Sequence, residues 1–233
     1  MNRGKSRPRA PAADPAFLRL LKTGLGLVLV PVTITGALAL WDVALAARAH
    51  IAWPAAWFWF LGGFVIWLLL FYALPQPTRT YILGHELTHA LWSSLLGGRV
   101  GRLRVTRAGG SVEVSETGAW VTLAPYFFPF YTFCALIAYL ILSLWLPTQA
   151  YTRFWAGLFG LTWAFHFCFT AAALRIGQPD IREQGRLFSY SFILFMNGLL
   201  ITAWLTLCVP LPARALLAAW LRRLAQLIAL GLP

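Results

Sequence analysis

The chain has 233 residues, 60% of them apolar and 11% charged, with 19 basic and 7 acidic side chains and a formal net charge of +12. A soluble domain carries roughly one-quarter charged residues, whereas here the apolar residues come in blocks long enough to cross a hydrocarbon layer of about 30 Å. The basic stretches lie between those blocks, at Arg3 to Arg9, Arg99 to Arg107, Arg175 to Arg186 and Arg214 to Arg223. This placement suits anionic headgroups and the positive-inside rule, and it leaves no soluble basic domain for nucleic acid.

Residues 1–16 read as a disordered, basic cytoplasmic tail. Phe17 to about Leu40 then reads as a retained first span, because the run is span-sized and no small-residue cleavage pattern closes a short apolar core. Asp42, Arg48 and His50 mark a short amphipathic separation before a second block, Trp53 to Leu74. Its tryptophans suit the membrane interface, and Pro75-Gln76-Pro77 ends it because neither proline can donate a helical hydrogen bond. Thr80 to Leu96 has a helical pattern but carries His85, Glu86 and His89 in apolar surroundings, and Gly97-Gly98 stops it.

The period then changes. Arg102-Leu103-Arg104-Val105 and Val112-Glu113-Val114-Ser115 both alternate polar with apolar, and Gly109-Gly110 supplies a turn, so residues 100–116 read as a β-hairpin. A lone hairpin is marginal in water and needs a packing partner. Trp120 to Leu146 follows, and its Pro125 and Pro129 predict a kinked or unwound start. Further blocks run from Phe154 to Leu174 and from Phe188 to Val209, and Pro212 to Leu230 reads either as an interfacial helix or as a sixth span. Cys134, Cys168 and Cys208 are widely spaced inside apolar segments and read as small buried side chains.

The expected fold is an all-α polytopic membrane protein of about five to six membrane segments with one small hairpin. Residues 17–230 are expected to form a single membrane-embedded domain. Charge leaves the topology open. With a cytoplasmic tail and two full spans, a third full crossing would export the arginines between Arg99 and Arg107. Either the histidine-bearing helix stops partway and the hairpin folds back, or the first segment does not cross.

His85-Glu86-Leu87-Thr88-His89 places two imidazoles at i and i+4 on one helical face, where they can share a zinc ion. Glu86 lies one residue on, within reach of a water on the metal without ligating it, as a general base requires. A carboxylate within hydrocarbon costs about 2.5–3.5 kcal/mol on insertion scales, so its presence points to chemistry. Catalytic zinc normally has three protein ligands. The candidates for the third are Asp180, His166, His50 and Glu183, with Glu113 and Glu116 less suited. Asp180 is preferred because Gln178-Pro179 interrupts helix just before it, and an unwound segment brings a short side chain to a metal. Glu183 and Gln184 are candidates for orienting a ligand, and His166 is an alternative ligand or a supporting hydrogen-bond partner.

His85 to Leu91, followed by Leu96-Gly97-Gly98-Arg99-Val100, resembles the site-2 protease (M50) family of intramembrane zinc metallopeptidases. The resemblance covers about residues 80–190 and is strong only over 83–100. It implies a zinc helix followed by a glycine-containing β-hairpin or re-entrant segment, and a later aspartate as third ligand. Gln178-Pro179-Asp180 is the nearest counterpart of that aspartate, although Ile181 stands where the family has glycine. The activity implied is hydrolysis of a peptide bond in or near a transmembrane segment of a membrane protein substrate. The hairpin edge is a candidate contact for an unwound substrate strand, and Asn197 reads either as another such contact or as a structural hydrogen bond across helices. The alternatives are a membrane zinc hydrolase with a non-protein substrate, and a non-catalytic protein that binds or transports metal. The basic N-terminus and short loops fit a bacterial inner membrane.

Overall fold

The computed structural model describes residues 15–47, 55–106, 109–208 and 211–231. Most of the basic tail, His50 and Arg107 lie outside them. In chain order the elements are α1 (Ala16–Ala47), α2 (Ala56–Ala73), α3 (Thr78–Leu95), β1 (Val100–Val105), β2 (Gly110–Val114), α4 (Ala119–Leu123), α5 (Phe130–Leu142), α6 (Thr152–Ile176), α7 (Pro179–Gln184), α8 (Arg186–Cys208) and α9 (Ala213–Gly231).

Among the described residues, four helical stretches are long and apolar enough to cross a membrane: α1, α2, Thr148–Ile176 (α6 with the turn before it) and α8. The bent pair formed by α4 and α5 makes a fifth if it counts as one span. Their outward faces carry large apolar side chains, with Leu20 72%, Phe58 71% and Leu69 65% exposed. A continuous apolar exterior of this kind is stable against lipid, and its helices satisfy their own backbone groups. The protein is an integral, multi-pass membrane protein.

Close packing of α2 on α6 depends on the absence of side chains. A Cβ on Gly63 would run into the carbonyl of Gly157, and one on Gly160 into that of Phe60. Glycine lets the two backbones touch, which is how helices gain contact energy where the hydrophobic effect is weak.

α1 runs past Leu40 to Ala47, beyond the end expected from the charge at Asp42. Arg223 of α9 donates to both oxygens of Asp42, from Nε and Nη2, each at 2.9 Å. The charge at Asp42 is thus paired inside the helix. α9 is not among the membrane-length apolar helices, and it packs along α1, where the Trp220 ring lies 3.3 Å from the position a Cβ on Gly36 would take.

The predicted break falls at the two prolines. Pro125 sits in a single 3-10 turn, Ala124–Tyr126, Pro129 precedes α5, and the two halves meet at 83°. Leu123, Tyr126 and Phe127 at this break are almost wholly buried with Ile181 of α7 and Phe188 of α8. This core presses the broken segment against α7. The hairpin strands pair antiparallel, Leu103 opposite Val112 and Val105 opposite Gly110, with an irregularity between Val100 and Leu103. Its packing partner is α3. A Cβ on Gly110 would stand 2.5 Å from Ile82 Cγ2 and 2.8 Å from Glu86 Cγ, so a glycine is needed for β2 to lie this close. Of the three cysteines, only Cys168 is buried; Cys134 and Cys208 lie on outward helix faces, which corrects the expectation for those two.

Candidate metal centre

The α3 turn sets His85 and His89 side by side, with Nε2 atoms 3.2 Å apart. The third member arrives from across the fold. α6 ends at Gly177, whose φ of +73° is the left-handed conformation that glycine adopts at helix ends. Gln178 is extended, Pro179 opens α7, and Asp180 falls in its first turn. Asp180 Oδ2 lies 3.4 Å from His85 Nε2 and 3.7 Å from His89 Nε2.

A tetrahedral zinc with bonds of about 2.0–2.1 Å holds its ligand atoms about 3.3 Å apart. The three observed edges fall around that value, and the donor set of two imidazoles and a carboxylate suits a divalent ion.

The surrounding hydrogen bonds aim lone pairs at the centre. His89 Nδ1 is 2.9 Å from the carbonyl of Val121. A carbonyl only accepts, so Nδ1 carries the hydrogen and Nε2 is a bare donor atom for a metal. Tyr81 OH lies 3.4 Å from His85 Nδ1, and the Tyr81 ring stacks on Phe169. Tyr126 OH donates to Asp180 Oδ2 at 2.8 Å. Burial pushes the Asp180 carboxyl upward, but the adjacent His85 and His89 and the hydrogen bond from Tyr126 outweigh this and hold it well below the usual carboxylate range. Asp180 is therefore a carboxylate at neutral pH.

Glu86 is only 8% exposed and lies in the electrostatic field of both histidines and Asp180, outside the triad itself. It accepts a hydrogen bond from the backbone of Val112 in β2. Gln184, also buried, joins three elements. Its Oε1 accepts from Lys22 Nζ of α1 at 2.8 Å, and its Nε2 donates to the Thr117 carbonyl at 3.4 Å and to Thr122 Oγ1 at 3.3 Å. Thr122 adjoins Val121, so α7 and the carbonyl that orients His89 are tied together.

The remaining candidates stand apart from the triad. His166 is hydrogen-bonded to Asn197. Asn197 donates to the carbonyls of Tyr126 and Ile193, each at 2.9 Å, and so fastens α8 to the break. Glu113 Oε2 accepts from the Arg102 backbone, and Glu116 and Glu183 are exposed. His50 falls outside the described residues. Tyr126 and the Val121 carbonyl escape sequence reasoning. The one clue is a tyrosine set between Pro125 and Pro129, where a buried phenol needs a partner.

No family model, no curated protein and no solved structure matches the chain. Fold and site together define a class: a polytopic membrane protein with a His-His-Asp centre that can hold a divalent metal ion.

Proposed function

We propose that the protein is a zinc-dependent endopeptidase of the site-2 protease kind, hydrolysing a peptide bond in or near a transmembrane segment of another protein in a cell membrane. The observation that carries the reading is the triangle of His85 Nε2, His89 Nε2 and Asp180 Oδ2, with edges of 3.2 to 3.7 Å, beside a buried Glu86. The likeness of His85 to Val100 to that family's zinc helix and glycine turn adds support, as does the hairpin lying on α3.

In this reading His85, His89 and Asp180 hold the zinc. When bound, zinc supplies Lewis acidity to the scissile carbonyl and to the attacking water. Glu86 takes the proton from that water and returns it to the leaving amine nitrogen. Val121 fixes the tautomer of His89, and Tyr126 fixes the orientation of Asp180. A Glu86 with no zinc-binding duty favours catalysis over a purely structural metal.

The test is metal analysis and cleavage of a transmembrane peptide by the purified full chain. One equivalent of zinc, lost in His85→Ala, is expected, with Glu86→Gln holding zinc but not cleaving. Cleavage by Glu86→Gln, or zinc binding that survives loss of His85, would overturn the reading.

A further inference from the structure

His166 stands outside the triad but shares a wall with it. Asn197 uses both amide hydrogens on backbone carbonyls, so only its oxygen is left for the imidazole, and an oxygen accepts. The His166 nitrogen engaged there is Nδ1, because Nε2 is the one with no partner. Nδ1 therefore carries the hydrogen and Nε2 is a bare acceptor. It is sealed from the exterior, and no donor meets it among the described residues. Buried acceptors are rarely left in that state.

His166 and His85 both line a cavity of about 20 Å³, together with Thr88 and Tyr131. One water needs about 10–15 Å³ of such space and two to four polar partners. Thr88 Oγ1 gives its hydrogen to the Gly84 carbonyl and Tyr131 OH gives its own to the Thr80 carbonyl. Their oxygens keep lone pairs, as His166 Nε2 does. A small cavity whose walls accept selects a small ligand that donates twice.

We infer that this cavity binds a single water molecule, held by His166 Nε2 beside His85, and that this water site serves the hydrolysis. Its use rests on the peptidase reading; its binding does not. An intramembrane hydrolase consumes one water per bond cut in a medium poor in water, and a store one side chain from the centre meets that need.

The experiment has two arms on the full-length, zinc-loaded protein. The first is a structure fine enough to show solvent, in which a water is expected about 2.6–3.2 Å from His166 Nε2. The second compares His166→Phe, which fills the cavity, with His166→Gln, whose amide can both donate to Asn197 and accept from water. His166→Phe should keep its zinc and melting temperature and its KM, while kcat falls roughly tenfold or more; His166→Gln should stay within about threefold of the parent. No solvent at Nε2, wild-type turnover by His166→Phe, or loss of zinc from that variant would each overturn the proposal. If the parent protein cleaves no membrane peptide, the peptidase reading fails, while the first arm still decides whether the water site exists.

Discussion

Tyr126 donates its phenolic hydrogen to Asp180 Oδ2, the same oxygen that faces both histidines. One lone pair of that oxygen is thereby fixed, and the other is turned toward His85 and His89. Tyr126→Phe keeps the buried ring but frees the carboxylate to rotate. Zinc affinity, measured by competition with a chromophoric chelator, should fall about 10- to 100-fold while the fold persists. Unchanged affinity would show that Asp180 is oriented without the phenol.

Metal removal is the second prediction. Dialysis against a strong chelator should abolish cleavage, and one equivalent of zinc should restore it. A ligand at a hundred times its Kd stabilises the folded state by about 2.7 kcal/mol, so the stripped protein should also melt at a lower temperature. Full activity after verified removal would exclude a catalytic metal.

Lys22 and Gln184 should act as one unit. Lys22→Met retains the apolar stem but loses the contact to Gln184 Oε1, and Gln184→Leu loses the ties to Lys22, Thr117 and Thr122. Each should weaken zinc binding by roughly tenfold through the loosened α7, and the double variant should lose less than the product of the two. Multiplicative losses in the cycle would disprove the shared network.

Two glycines separate packing from chemistry. Gly160→Val puts side-chain atoms into the Phe60 backbone, where neither helix can yield, so the melting transition in detergent should drop by the equivalent of about 1–3 kcal/mol or more. Gly110→Val instead presses on Ile82 and Glu86 and should lift β2 from α3, reducing cleavage with zinc retained. A Gly110→Val protein as active as the parent would show that hairpin contact is dispensable.

What could be read from the chain was what local spacing encodes. His85 and His89 share a face because of helical periodicity, and the breaks at Pro125 and Gln178-Pro179 follow from the missing proline donors. What could not be read depended on partners distant in the chain. The partner that pairs the Asp42 charge within α1 is Arg223, which no window around Asp42 contains. Lys22 lies 162 positions from Gln184, so only folding brings the two together. Tyr126 had no periodic signature, because its role arises only when the 83° break turns it toward α7.

The six-residue α7, strung between α6 and α8, also fixes an order of events during biosynthesis. Both histidines leave the ribosome with α3, early in translation, whereas Asp180 emerges only after α6 has been made. The core contacts of its neighbour Ile181 with Phe188 form later still, once α8 is in place. A nascent chain halted after the hairpin thus carries two imidazoles and no carboxylate beside them, and the three-residue centre is complete only late in synthesis.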